Sequence, residues 1–187
     1  VDPKILFPPE YPYTSSTTQI LKENFAEMYR ECLTLMKLNT QDLVVDIGSN
    51  DGNLLSNFKD KHKVLGITPE KIGEIAIQRG IPTIFSYFDR SVVKMIIDEK
   101  GPAKVITATN VFAHIDSINE IVECIVELLV EDGVFITECH YLGSLVETLQ
   151  YDTIYHEHLM YYSLNSLKYL LEQHGLEIFH AKQIPTH

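Results

Sequence analysis

The chain has 187 residues, 45% apolar and 22% charged, a balance that fits one soluble globular domain and excludes a disordered segment. Fifteen basic against twenty-six acidic side chains give a net charge of −11, which disfavours nucleic acid and anionic membranes as partners. No apolar run reaches the roughly 18 residues of a membrane span, and Val1-Asp2-Pro3-Lys4 has neither the basic start nor the apolar core of a signal peptide. Cys32, Cys124 and Cys139 are odd in number and far apart, so reduced thiols and a cytoplasmic location are expected. The absence of an initiator Met reads as a processed product or an excised fragment.

In chain order, the first element is a helix over Thr17–Leu38, with Ser15, Ser16, Thr17 and Thr18 as candidate N-caps and Glu23 within capping distance. Short, mostly β-branched runs follow at Leu43–Ile47, Val64–Ile67, Thr83–Phe85, Lys104–Ala108 and Val134–Glu138, the pattern of buried parallel strands. Between them the period changes to helical over Asn53–Lys61, Glu70–Arg79, Arg90–Glu99 and Ser117–Val130. In the last of these, Ile118, Ile121, Val122, Ile125, Leu128 and Leu129 form one apolar face. A further helix over Ser163–His174 stops at Gly175, and Glu177–Gln183 is expected to form a sixth strand. Alternation of this kind defines an α/β, Rossmann-like, doubly wound and mostly parallel sheet in three layers. The chain ends where such a sheet normally continues into another strand.

The run Val44-Val45-Asp46-Ile47-Gly48-Ser49-Asn50-Asp51-Gly52 carries a strand into a glycine-rich turn, which places a ligand at the sheet's carboxyl edge. Gly48 and Gly52 permit a sharp turn and close backbone approach. Asp46 can accept a hydrogen bond from an ammonium group, and a helix N-terminus after Gly52 would offer N–H groups to a carboxylate. An amino acid end suits both. The dinucleotide fingerprint G-x-G-x-x-G is absent, whereas the D-x-G-x-x-x-G spacing resembles the first motif of S-adenosylmethionine-dependent methyltransferases. Ser49, Asn50 and Asp51 fall inside that loop. The second strand ends in Thr68, where such proteins usually carry Asp or Glu for the ribose hydroxyls, and Glu70 lies two residues on. Tyr87 and Phe88 are candidates to stack on the adenine or to belong to the core.

A second cluster, Tyr151-Asp152-Thr153-Ile154-Tyr155-His156-Glu157-His158, crowds imidazoles, carboxylates and phenols into eight residues, as proton transfer requires. Taken with Tyr11-Pro12-Tyr13-Thr14-Ser15-Ser16, the Asp46–Gly52 loop and Asn110-Val111-Phe112-Ala113-His114, it resembles the sugar C-methyltransferases that act on nucleotide-linked 4-keto-deoxysugars. Nearly the whole chain is covered. That resemblance implies a class I methyltransferase domain over 1–187, in which residues 1–38, an extended arm and a helix, pack over the cofactor site. It implies S-adenosylmethionine as cofactor and S-adenosylhomocysteine as product, with Asn110 and Val111 joining the cofactor loop.

By the same resemblance His158 is the base that removes a proton alpha to the ketone, and Tyr155 and Glu157 position it or stabilise the enolate. His114 and Tyr13 complete the pocket; Tyr11 is the alternative to Tyr13. The family has a zinc module before this domain and another domain after it, so a further domain or partner chain is expected to complete the sugar-nucleotide site. His156 and His158 form a His-x-His pair, but no third ligand has suitable spacing and no metal is expected. An NAD-type oxidoreductase and a non-catalytic binding module on the same sheet are the alternatives.

Overall fold

All five residues of β1 (Leu43–Ile47) are buried, because this strand is the middle of a sheet covered on both sides. The computed structural model, which describes residues 8, 10 and 14–184, surrounds it with β2 (Lys63–Ile67), β3 (Thr83–Ile84), β4 (Ala103–Thr109) and β5 (Leu129–Glu138). The sheet is entirely parallel in the order β3-β2-β1-β4-β5. Val45 lies level with Leu65 on one side and Ile106 on the other.

Successive strand residues feed opposite layers, as a period of two demands. Val45, Leu65 and Ile106 pack with α3 (Arg90–Lys100) and α4 (Ile118–Leu128) through Val93, Ile96, Val122 and Ile125. Val44, Val64 and Val105 pack on the other face against Phe25 and Cys32 of α1 (Gln19–Leu35), Phe58, and Ala76 of α2 (Gly73–Gln78). Asp89 caps α3 by accepting from Val92 N at 2.9 Å. After α5 (Leu142–Glu147), Ser163 and Ser166 cap each other at the start of α6 (Leu164–Gln173).

Two expected elements do not form. Over 53–61 only a single 3₁₀ turn at Leu55–Asn57 appears in place of a helix. Here the backbone mixes i−4 bonds such as Ser56 N to Gly52 O with i−3 bonds such as Asn57 N to Leu54 O, while Ser56 Oγ adds a bond to Gly52 O at 2.8 Å and Asn57 Nδ2 adds bonds to Asn53 O and Leu54 O. Glu177–Gln183 is not a strand either. Lys182 instead pairs with Glu27 and Glu31 of α1, which holds this segment on a helix and away from a sheet edge. Among the described residues no helix is long and apolar enough to cross a membrane.

Candidate active site

At the carboxyl ends of β1, β2 and β4 a cavity of about 730 Å³ opens, in the size range of small-molecule sites. Its wall includes Asp46, Gly48, Ser49 and Asn50 from the first loop, Thr68 and Glu70 from the second, and Tyr87 and Phe88 from the third. Asn110, Val111 and His114 follow β4, and Tyr155, Glu157 and His158 close the far side. Ser15, Leu21 and Phe25 add the edge of the N-terminal segment. Tyr11 and Tyr13 lie outside the described residues.

The backbone of the first loop is bent by Gly48 at φ +74° and Asn50 at φ +50°. Gly48 N and Ser49 N both donate to Ile67 O, at 2.9 and 3.0 Å, fastening the loop to β2. A side chain at Gly48 is excluded by more than φ: its Cβ would stand 2.6 Å from Val111 Cγ2. Asp46 is buried and accepts from Thr107 Oγ1 at 2.6 Å. Burial nevertheless pushes its carboxyl up to about 7.

Asp51 and Gly52 do not line the cavity, and the helix expected after Gly52 is missing, so the anticipated helix N-terminus is not there. A Cβ at Gly52 would meet Ile81 Cδ1 at 2.7 Å and Ala76 Cβ at 2.9 Å, so this glycine serves packing beneath the loop. Asp51 is fully buried and clasps the N-terminal segment: it accepts from Ser15 Oγ at 2.6 Å and Ser16 N at 3.3 Å, and pairs with Arg79 at 3.2 Å. Burial raises its carboxyl, but these bonds and the Arg79 charge outweigh that and hold it low. Asp51→Ala is expected to cost about 2 kcal/mol of stability. Because the folded pKa is depressed, that contribution is present above the unfolded carboxylate range near about 4 and disappears as pH falls through the folded value. Thermal melts at neutral and acidic pH check it.

Thr68 does not stand alone at the end of β2. Its Oγ1 donates to Glu70 Oε2 at 2.7 Å, and both residues are buried in the cavity wall. Burial raises the Glu70 pKa, partly offset by this bond. Phe88 belongs to the core as well as the wall. After β4, Asn110 takes φ +55°, its N donates to Glu138 O at 2.8 Å, and its Nδ2 donates to Glu138 Oε1 at 3.3 Å. Glu138 Oε2 accepts from Asn24 Nδ2 at 2.8 Å. Ser49 Oγ and Asn110 Oδ1 are buried with no partner among the described residues, so the wall holds unmet hydrogen-bonding capacity for a polar ligand.

The segment with Tyr155, Glu157 and His158 is docked on the turn after β4. Leu159 N and Met160 N both donate to Ala113 O, and Tyr162 Oη donates to Phe112 O. His114 Nδ1 lies 2.8 Å from Glu157 O and His158 Nδ1 lies 2.9 Å from Thr153 O. A carbonyl only accepts, so in each neutral ring the proton is on Nδ1 and Nε2 keeps its lone pair. His158 Nε2 is 3.3 Å from Tyr155 Oη, which donates to it. Burial lowers the His114 pKa, opposed by its bond to Glu157 O.

His140, not counted among the sequence candidates, lines the same cavity with its ring centre 5.4 Å from that of His158. Its position two residues after β5 was the available signal, since catalytic groups gather at the carboxyl ends of parallel strands. Exposed His156 points its ring toward Tyr155 and is not in the wall. Among the described residues no group of three or more His, Cys, Asp or Glu is arranged to hold a metal.

This sheet is the Rossmann-like fold of the class I S-adenosylmethionine-dependent methyltransferases. A SAM-dependent methyltransferase from Archaeoglobus fulgidus superposes with a TM-score of 0.67 at 17% identity, over 82% of this chain and 68% of that one. Another from Thermotoga maritima gives 0.60 at 18% identity, over 85% and 74%. The chain belongs to the methyltransferase domain family, whose model matches residues 20–181. It is also 34% identical to C-methyltransferase NovU of Streptomyces niveus, over all of this chain and 45% of that protein, so it spans under half of its relative's length.

Proposed function

We infer that this chain is the catalytic core of an S-adenosylmethionine-dependent C-methyltransferase that methylates the carbon alpha to the ketone of a nucleotide-linked keto-deoxysugar. One observation carries the reading: the imidazole of His158, whose Nε2 meets Tyr155 Oη, lines the same cavity as the Gly48 loop. When bound, S-adenosylmethionine supplies an electrophilic methyl group on a sulfonium sulfur. The unpartnered Ser49 Oγ and Asn110 Oδ1 fit that cofactor's polar groups, Asp46 fits its ammonium, and Thr68 and Glu70 fit its ribose.

His158 Nε2 takes the proton alpha to the carbonyl, and the Thr153 carbonyl stabilises the resulting imidazolium through Nδ1–H. The Tyr155 hydroxyl is freed to donate to the enolate oxygen once Nε2 is protonated. His114, whose pKa burial lowers, lines the same wall with its Nδ1 on Glu157 O. In this reading the described residues 14–38 border the cofactor, anchored by Ser15 on Asn50 and Asp51.

Among the described residues in the cavity wall there are five carboxylates (Asp46, Glu70, Asp89, Asp116 and Glu157) and neither Lys nor Arg. A diphosphate finds no clamp here. The nucleotide part of the substrate therefore rests on a further domain or a partner chain. This chain alone is expected to bind a sugar nucleotide weakly, which calorimetry checks; tight binding by residues 1–187 would overturn the division of labour. The function itself is tested by incubating the chain with S-adenosylmethionine and high concentrations of a nucleotide-linked 4-keto-deoxysugar. Product gaining one methyl on carbon supports the reading, and transfer to oxygen or nitrogen, or none, sinks it.

Asp46 adds a pH dependence. With its carboxyl at about 7 in the free protein, ionisation is disfavoured by burial, so this group reduces stability as pH rises from about 4 toward 7. A bound ammonium favours the carboxylate, so cofactor binding displaces a proton. Affinity should fall by up to about tenfold per pH unit below 7, and Asp46→Asn should flatten that slope. Titration calorimetry across pH measures both.

A further inference from the structure

We propose that His140 is a proton relay that empties His158 after each turnover, an inference that rests on the reading above. The need for such a group follows from the balance of the reaction. The substrate C–H bond breaks, its electron pair entering the enolate and its proton going to His158 Nε2. A carbon–methyl bond then forms as the sulfur–methyl bond breaks, its pair remaining on sulfur. Nothing in that sum consumes the proton, so one proton must leave the enzyme in every cycle.

Where that proton goes is constrained by the groups packed around His158. Nδ1 is held on Thr153 O, which also accepts from Tyr161 Oη at 2.9 Å, so Nε2 is both the entrance and the exit. Rings of Tyr155, His114, His140 and Tyr161 have their centres 4.4, 5.1, 5.4 and 5.9 Å from that of His158, and Glu157 shares the wall. Tyr155 and Tyr161 have no basic nitrogen to take the proton; a neutral phenol could pass it on only after giving up its own, and burial makes that loss harder for Tyr155. His114 is half-buried with its Nδ1 on Glu157 O, and burial disfavours a charge there.

His140 is the remaining imidazole, within a direct contact or one water of His158. It is half-buried at the wall, where the chain leaves β5. A ring with two nitrogens can take a proton on one and release it from the other. It acts on the base and not on the substrate.

Two readouts separate this role from a structural one, using His140→Asn and, in case that variant folds poorly, His140→Phe. The first needs no cofactor: the chain is mixed with a nucleotide-linked 4-keto-deoxysugar in D₂O, and loss of the alpha proton is followed by NMR. Exchange requires His158 to trade its proton with solvent, so both variants should exchange about tenfold or more slowly, and added imidazole buffer should restore the rate. The second follows methyl transfer. The first turnover should keep its rate while the steady state slows, because only later turnovers wait for the proton to leave.

Unchanged exchange and steady-state rates in both variants overturn the relay. So does an equal loss in the first turnover that imidazole does not repair, which would assign His140 to structure. Neither exchange nor methylation by the unaltered chain would sink the proposed function itself.

Discussion

His158→Gln is expected to lower methyl transfer by ~10²–10⁴-fold, the usual contribution of a positioned base, while leaving cofactor affinity nearly intact. The argument is geometric. Thr153 O fixes the proton of His158 on Nδ1 and turns the basic Nε2 toward the cavity, where it meets Tyr155 Oη. Glutamine can keep a hydrogen bond to Thr153 O but offers no basic nitrogen. Tyr155→Phe should cost less, since the base survives and only a donor to the enolate is lost. Single-turnover methyl transfer, with calorimetric titration of S-adenosylhomocysteine on the same samples, decides the matter. A parallel fall in affinity would show that His158 shapes the cofactor pocket and is not the base.

For Glu70→Ala the expected effect is on binding: a dissociation constant for S-adenosylhomocysteine raised about 10- to 100-fold. Thr68 follows β2 without a charge of its own, and the fold brings a carboxylate to it. Pro69 turns the chain, and Glu70 returns beside Thr68 at 2.7 Å, both side chains facing the cavity. A charge-assisted hydrogen bond contributes about 1.5–3 kcal/mol, and about 1.4 kcal/mol is tenfold in affinity. Thr68→Val should weaken binding less, because the carboxylate remains. Folding is not expected to confuse the result. Burial raises the Glu70 pKa, so its charge disfavours the free fold above the unfolded carboxylate range, and Glu70→Gln should melt no lower than the unaltered chain at neutral pH.

The architecture was legible because its signal is repeated in the three central strands: branched apolar runs such as Leu43–Ile47 must be buried on both faces, and only a covered parallel sheet does that. The run from Asn53 to Lys61 misled because its apolar residues have helical spacing while its backbone bonds alternate between i−3 and i−4 partners and settle into a single 3₁₀ turn. The Glu177–Gln183 run looks like a strand, but what it meets is α1 through Lys182, a long-range pairing that no local pattern records. At the site, residues on one loop were readable from spacing. What spacing does not show is direction: Asp51 sits among cofactor-loop residues yet turns away to hold Ser15 and Arg79. Glu70 reaches the site region from the end of β2, and Glu138 and His140 reach it from the end of β5, so their convergence is a property of the sheet order.

The buried carboxylate of Glu138 grips Asn110 in the wall with one oxygen and Asn24 of α1 with the other. Asn24 is no part of the cavity lining, yet it steadies the acid that sets Asn110's posture. On the proposed reading the first helix thereby bears on the methyl-donor pocket, and replacing Asn24 by Leu should loosen the grip on the cofactor while sparing proton abstraction on the opposite wall.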